Sequence, residues 1–176
     1  MKISNRELIV ATITIALGTV IPFLFHGIKG AGSLFLPMFY PVVIAGFFLS
    51  PPLAAITGLL TPITATLLTG MPPINPPIMF IMSIELAVLC LTISLLEQKL
   101  KINYYLNISI SMLINRIIYT ILLLVFARFF NLPGFSFALV KLISGWPGFL
   151  VIITILPAIA KSLQQQFNRV DIYAES

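Results

Sequence analysis

Glu85 and Arg116 each sit well inside a long apolar run, Glu85 in the segment 78–97 and Arg116 near the middle of 104–128. A charge at mid-bilayer costs ~2.5–3.5 kcal/mol even on the lenient insertion scale, so both must face protein rather than lipid. Two outcomes are open. The pair can close as an ion pair that locks two helices together, or it can form the floor of a polar cavity that takes up a ligand. Asn115 and Tyr119 lie beside Arg116 in sequence and, with Ser109 and Thr120, give its helix a polar stripe that lipid would not tolerate. Lys141, Trp146, Lys29 and His26 would lie above such a cavity. Each also has a plainer reading: a lysine at a helix entry snorkels, a tryptophan joins the interfacial belt, and a lone histidine makes an interfacial hydrogen bond. The cations near the proposed cavity, Arg116, Lys141 and Lys29, outnumber the single carboxylate of Glu85. A bound anion or zwitterion would offset that excess.

Enzyme chemistry is not expected. One histidine, and no second acidic residue near Glu85, cannot build a His-Glu metal site or a carboxylate dyad. His26 has no motif-like serine beside it, which argues against an intramembrane serine hydrolase. Cys90 is the only cysteine, so neither a disulfide framework nor a zinc cluster can form within the chain. No metal and no cofactor of its own is expected. The net charge of +5 comes from basic residues scattered singly between apolar segments, a pattern that sets membrane topology and offers nothing to nucleic acid.

The elements that hold these residues follow from hydropathy. Between Leu8 and Leu96 the only charged side chains are Lys29 and Glu85. Over the whole chain 59% of residues are apolar and 9% charged, against roughly 25% charged in a soluble domain. The expected structure is an all-α membrane protein, one domain over residues 1–176, with six transmembrane helices in a single bundle. The spans fall near 7–26, 34–50, 52–70, 78–97, 104–128 and 143–163, each close to the ~20 residues needed to cross ~30 Å of hydrocarbon. The N-terminal run is read as the first span, because Leu8 to Phe25 is long and ends in Phe-His instead of a small-residue cleavage site. Lys2, Arg6, Lys99, Lys101, Lys161 and Arg169 on one side against Lys29, Arg128 and Lys141 on the other favour N-in/C-in. Pro37 and Pro41 interrupt the second span and Pro62 the third, so the bundle must be locally irregular. Ala54, Gly58, Thr61, Ala65 and Thr69 share one face of the third span, as helix packing requires. On the first span, Thr12, Ala16 and Thr19, with Ala11 and Gly18 beside them, suit either internal packing or docking of a partner.

The stretch Leu36-Pro37-Met38-Phe39-Tyr40-Pro41-Val42-Val43-Ile44-Ala45-Gly46 resembles the second helix of the substrate-binding S components of energy-coupling-factor (ECF) transporters. The likeness continues through Gly58, Pro62 and Leu68-Thr69-Gly70-Met71-Pro72-Pro73 to Ile84-Glu85, and covers roughly half of the chain by motif. The resemblance implies a six-helix bundle in a bacterial or archaeal cell membrane that captures a vitamin or similar small micronutrient from outside. It implies partners: a membrane coupling subunit and two cytoplasmic ATPases, which use the ATP. It also implies a gating first loop over Gly27–Gly32, ligand contacts from Glu85, Asn115, Arg116, Lys141 and Trp146, and a coupling surface on the first helix. That surface often reads Ala-x-x-x-Ala in the family, whereas here Ala11 is followed by Ile15, and Thr12 with Ala16 keeps the small-residue spacing. Position 3 is Ile, so the Met-x-His set of the nickel and cobalt members is missing and a metal cargo is not expected. The rival expectation is a non-transport scaffold similar to the rod-shape-determining membrane proteins, which needs no polar cavity.

Overall fold

The computed structural model describes residues 3–25, 31–74, 77–129 and 145–174. All regular structure among them is helical. Helix α1 (Asn5–Phe25) starts at a capping box: the Arg6 N–H donates to Ser4 Oγ at 3.3 Å, and the Ser4 N–H donates to Glu7 Oε2 at 3.0 Å. The other Glu7 oxygen accepts the Ser50 N–H at 2.7 Å, so one carboxylate serves the starts of α1 and of α4 (Pro51–Thr69). Pro51 and Pro52 occupy the first turn of α4, where no N–H is needed, and Gly70 closes it at φ +75°, a left-handed conformation that costs glycine nothing. Helix α5 (Ile78–Leu95) runs into a π-helical turn, Leu96–Leu100, which leads into α6 (Tyr104–Phe129). The last helix, α7, is Trp146–Ala174.

The segment 34–50, expected as one span, is two short helices instead: α2 (Ala31–Phe35) and α3 (Phe39–Gly46). The break falls where proline chemistry puts it. Pro37 lacks an N–H and disfavours helical backbone at the residue before it, and Leu36 takes φ +51°. Pro41 lies in the first turn of α3 and is tolerated there, while Pro62 sits within an unbroken α4. Five helices, α1, α4, α5 with its π turn, α6 and α7, are long and apolar enough to cross a bilayer.

Helix α3 is the centre of the bundle and packs against α1, α4, α5 and α7. Val42, Val43, Ala45 and Leu49 are buried there among Leu86, Leu89, Cys90 and Ile93 of α5, Ile108 and Met112 of α6, and Ile152, Leu156 and Ala160 of α7. The outside is apolar too: Ile9, Ile13 and Val20 of α1, Leu67 and Leu68 of α4, and Leu113, Ile117 and Ile121 of α6 are all exposed. Helices apolar on every side suit a hydrocarbon solvent. Without a hydrophobic drive between them, such helices associate by close packing of small residues. A methyl group added at Gly58 would lie 2.3 Å from the Leu86 carbonyl oxygen, and one at Gly18 would lie 2.3 Å from Thr61 Cγ2. Ala54, Thr61 and Ala65 are buried on the same inward face of α4.

Candidate functional site

Alternation of the helices sorts the chain into two ends. Ser50, the Leu96–Leu100 turn, Tyr104 and Gln164 gather at the end near Glu7, while the Gly70–Ile74 turn and the α2–α3 connection gather at the other. At that second end lies a cavity of ≈ 390 Å³. Inward-facing positions at helical spacing supply its walls: Ile78, Ile81, Met82 and Glu85 from α5, and Arg116, Tyr119 and Leu123 from α6. Thr19 and Pro22 of α1, Gly32, Leu36 to Phe39, Ala65 and Thr69 of α4, and Met71 to Pro73 complete the lining. Two bonds hold the roof. Thr66 Oγ1 donates to the Pro72 carbonyl at 2.8 Å, and the Met79 N–H donates to the Pro73 carbonyl at 3.1 Å.

Glu85 is 3% exposed and lines the cavity. Behind it, Asn115 is fully buried and donates from Nδ2 to Glu85 Oε1 at 3.0 Å, leaving its own Oδ1 without a partner. Asn115 thus holds the carboxylate from outside the cavity lining. Arg116 comes into the cavity along a different path: its guanidinium lies over the Phe149 ring, 5.6 Å from the centroid, where the ring face attracts a cation. Gly145 makes room for it, because a methyl there would meet the guanidinium at 2.7 Å. Trp146 is more than half exposed and packs against Phe149 at 5.5 Å between centroids, so it supports the guanidinium's platform from outside and does not line the cavity.

Glu85 and Arg116 therefore share a cavity without closing as a salt bridge: Asn115 holds the carboxylate and the Phe149 ring holds the guanidinium. Of the two arrangements open to this pair, the contact that would lock α5 to α6 is not made. His26, Lys29 and Lys141 lie outside the described residues, as do all of Gly27–Gly32 except the last two positions; Gly32 lines the cavity. The small-residue stripe of α1 divides. Ala11 and Thr19 are buried in the bundle, with Thr19 at the cavity, whereas Thr12 and Ala16 face outward. Among the described residues, no group of three His, Cys, Asp or Glu side chains could hold a metal ion.

Sequence reasoning missed the Phe149–Gly145 seat of the guanidinium, for which local sequence carries no signal. It also missed Asn107 and Ser111, which with Asn115 form a buried ladder at four-residue spacing on α6. That spacing was there to be found. Ser111 Oγ donates to Asn107 Oδ1 at 3.3 Å, and Asn107 Nδ2 donates to the Ile93 carbonyl at 3.2 Å. Around them Ser94 and Gln98 both donate to the Leu49 carbonyl, Gln164 Nε2 donates to Glu97 Oε1 at 3.4 Å, and the Tyr104 hydroxyl donates to Gln164 Oε1. This network fastens the end of the bundle opposite the cavity. The cavity, with its opposite charges held apart, thus lies at one end of a bundle tied together at the other. Comparison of the chain with protein-family models, with curated proteins and with solved structures returns no match.

Proposed function

We propose that this chain is the membrane-embedded substrate-capture subunit of an ECF-type ABC importer, binding a vitamin or similar small micronutrient from outside the cell. The observation that carries the reading is the cavity in which Glu85 and Arg116 face a common space without pairing. A scaffold has no use for a buried carboxylate and a guanidinium that face one cavity and leave each other's charge unpaired, since such groups are costly to hold away from water. A binding site does, because the ligand supplies the missing partners.

The rest of the reading is consistent with this. The broken segment from α2 to Leu49 runs from the cavity, where Gly32 lies, to the opposite end, where the Leu49 carbonyl meets Ser94 and Gln98. In this reading it makes a sixth crossing beside the five continuous helices. Arg6, Lys99, Lys101 and Lys161 belong to the end away from the cavity and Arg128 to the cavity end, so the basic residues favour N-in/C-in with the cavity facing out. Thr12 and Ala16 leave a small-residue strip on the outer face of α1 where a membrane coupling subunit could approach closely. Two cytoplasmic ATPases would supply the energy, and the chain itself would need no cofactor.

The test is uptake in bacterial cells expressing the chain with and without a coupling subunit and its two ATPases, across radiolabelled water-soluble vitamins. One compound should accumulate only when all components are present. The detergent-purified chain alone should bind the same compound without ATP. Absence of both binding and uptake, with altered cell shape on deletion of the gene, would establish the scaffold reading instead.

A further inference from the structure

The polar groups available to a ligand in this cavity are few, because most of those near it are already used. Thr19 Oγ1 donates to the Ile15 carbonyl at 2.9 Å and Thr69 Oγ1 to the Ala65 carbonyl at 2.7 Å. The Pro72 and Pro73 carbonyls accept from Thr66 and Met79. What remains among the described lining side chains is the Glu85 carboxylate, the Arg116 guanidinium and the Tyr119 hydroxyl, the last two with no hydrogen-bond partner there. All three come from the facing sides of α5 and α6. The rest of the wall, Leu36, Phe39, Ile81, Met82 and Leu123, is apolar.

Resting on the capture reading, we infer that the cargo is a small zwitterion with an apolar body, its cationic group set against Glu85 and its anionic group against Arg116 and Tyr119. Charge conservation within the site is the reason. With Glu85 ionised, it and Arg116 sum to zero, and a ligand whose cation favours that form and which also sums to zero leaves every charge paired after binding. A singly charged ligand would satisfy one residue and strand the other in a desolvated site, which is strongly unfavourable. A phosphate ester, carrying up to two negative charges, would exceed the single guanidinium and leave the ionised Glu85 without a cation. A polyol would bury hydroxyls that the apolar wall cannot satisfy. The volume of ≈ 390 Å³ lies at the lower end of the ~300–1,000 Å³ usual for small-molecule sites.

The experiment starts from the full chain purified from cells in mild detergent, with bound small molecules extracted and identified by mass spectrometry. A zwitterion is expected. It then becomes the probe, titrated calorimetrically beside its N-acetyl derivative, which lacks the cation, and its methyl ester, which lacks the anion. Each derivative should bind roughly 10- to 100-fold more weakly, the range expected for losing one charge-assisted hydrogen bond. Glu85→Gln, which can still accept from Asn115, should weaken the zwitterion by a similar factor and leave the N-acetyl derivative's weak binding unchanged. Melting temperatures show whether the variant is folded, and if it is not, the two derivatives on the unaltered protein decide. Recovery of a singly charged, phosphorylated or polyhydroxylated molecule, or derivatives that bind within twofold of the parent, overturns the zwitterion while leaving capture standing. No recovered molecule, with no thermal stabilisation by any water-soluble vitamin or apolar amino acid, overturns capture itself.

Discussion

Replacing Gly58 with alanine tests the packing that brings Glu85 to the cavity. The new methyl would lie 2.3 Å from the Leu86 carbonyl oxygen, 2.6 Å from its carbon and 2.8 Å from Ala87 Cα. Ordinary contact begins at 3.4 Å, so α4 and α5 must part by about 1.1 Å at this point. Every obstacle is backbone, and no side chain can swing away to relieve it. Overpacking of this kind costs ~1–3 kcal/mol, and the rigid neighbours place Gly58→Ala at the upper end. Alanine regains ~1 kcal/mol of helix propensity over glycine, leaving a net loss of ~2 kcal/mol. Gly32→Ala is the matched control, since a methyl there meets nothing within 4 Å and should be neutral or slightly stabilising. The assay is SDS-induced unfolding in mixed micelles, followed by circular dichroism for both variants and the parent. Glu85 adjoins Leu86, so the same displacement should also weaken ligand binding by disturbing the 3.0 Å bond from Asn115. A Gly58→Ala protein that unfolds at the parent's midpoint would refute the close approach of α4 and α5.

Three further outcomes follow from the same geometry. Because Glu85 and Arg116 do not close as an ion pair, a double-mutant cycle with Glu85→Gln and Arg116→Gln should show a coupling in the ligand-free protein well short of the ~3–5 kcal/mol of a broken buried pair. The folded double variant should have lost ligand binding; a stable double variant with parental affinity would move the site elsewhere. Ala16→Trp places a large side chain on the outward strip of α1, so it should abolish uptake and spare binding by the purified protein; loss of both together would make the strip internal packing. Tags at both termini should be reachable only after the cytoplasmic face is opened, and labelling of either from outside intact cells would overturn the N-in/C-in topology.

The inward placement of Glu85 and Arg116 was legible because lipid penalises a charge wherever it falls, and that penalty depends on residue type and depth alone. Five of the spans were legible for the same reason. Hydropathy reports how much apolar surface a segment carries, however, and not whether its backbone is continuous. That is why 34–50 read as one span when Leu36 turns the chain at positive φ before Pro37. The separation of Glu85 from Arg116 was not legible either. It depends on Phe149 of α7, whose ring seats the guanidinium, on the room left by Gly145 just before that helix, and on Asn115, which holds the carboxylate from behind. The division of the α1 stripe has a similar origin. Thr12, Ala16 and Thr19 are near neighbours on a helical wheel, and the rotation of α1 against α3 and α4 decides which of them is covered.

The position of α3 bears on how the chain is made. Its eight residues reach about 12 Å at 1.5 Å each, well short of a ~30 Å hydrocarbon layer, so it cannot enter lipid as an independent unit. Its exit is the Leu49 carbonyl, which is satisfied only by Ser94 and Gln98, 45 and 49 residues later in the chain. The ribosome therefore delivers the core of the bundle well before it delivers the groups that make that core soluble in the membrane. Until α5 is made, that carbonyl has neither donor, so the segment cannot complete its hydrogen bonds within hydrocarbon. The third helix synthesised thus depends for its place in the membrane on groups that lie in and just after the fifth.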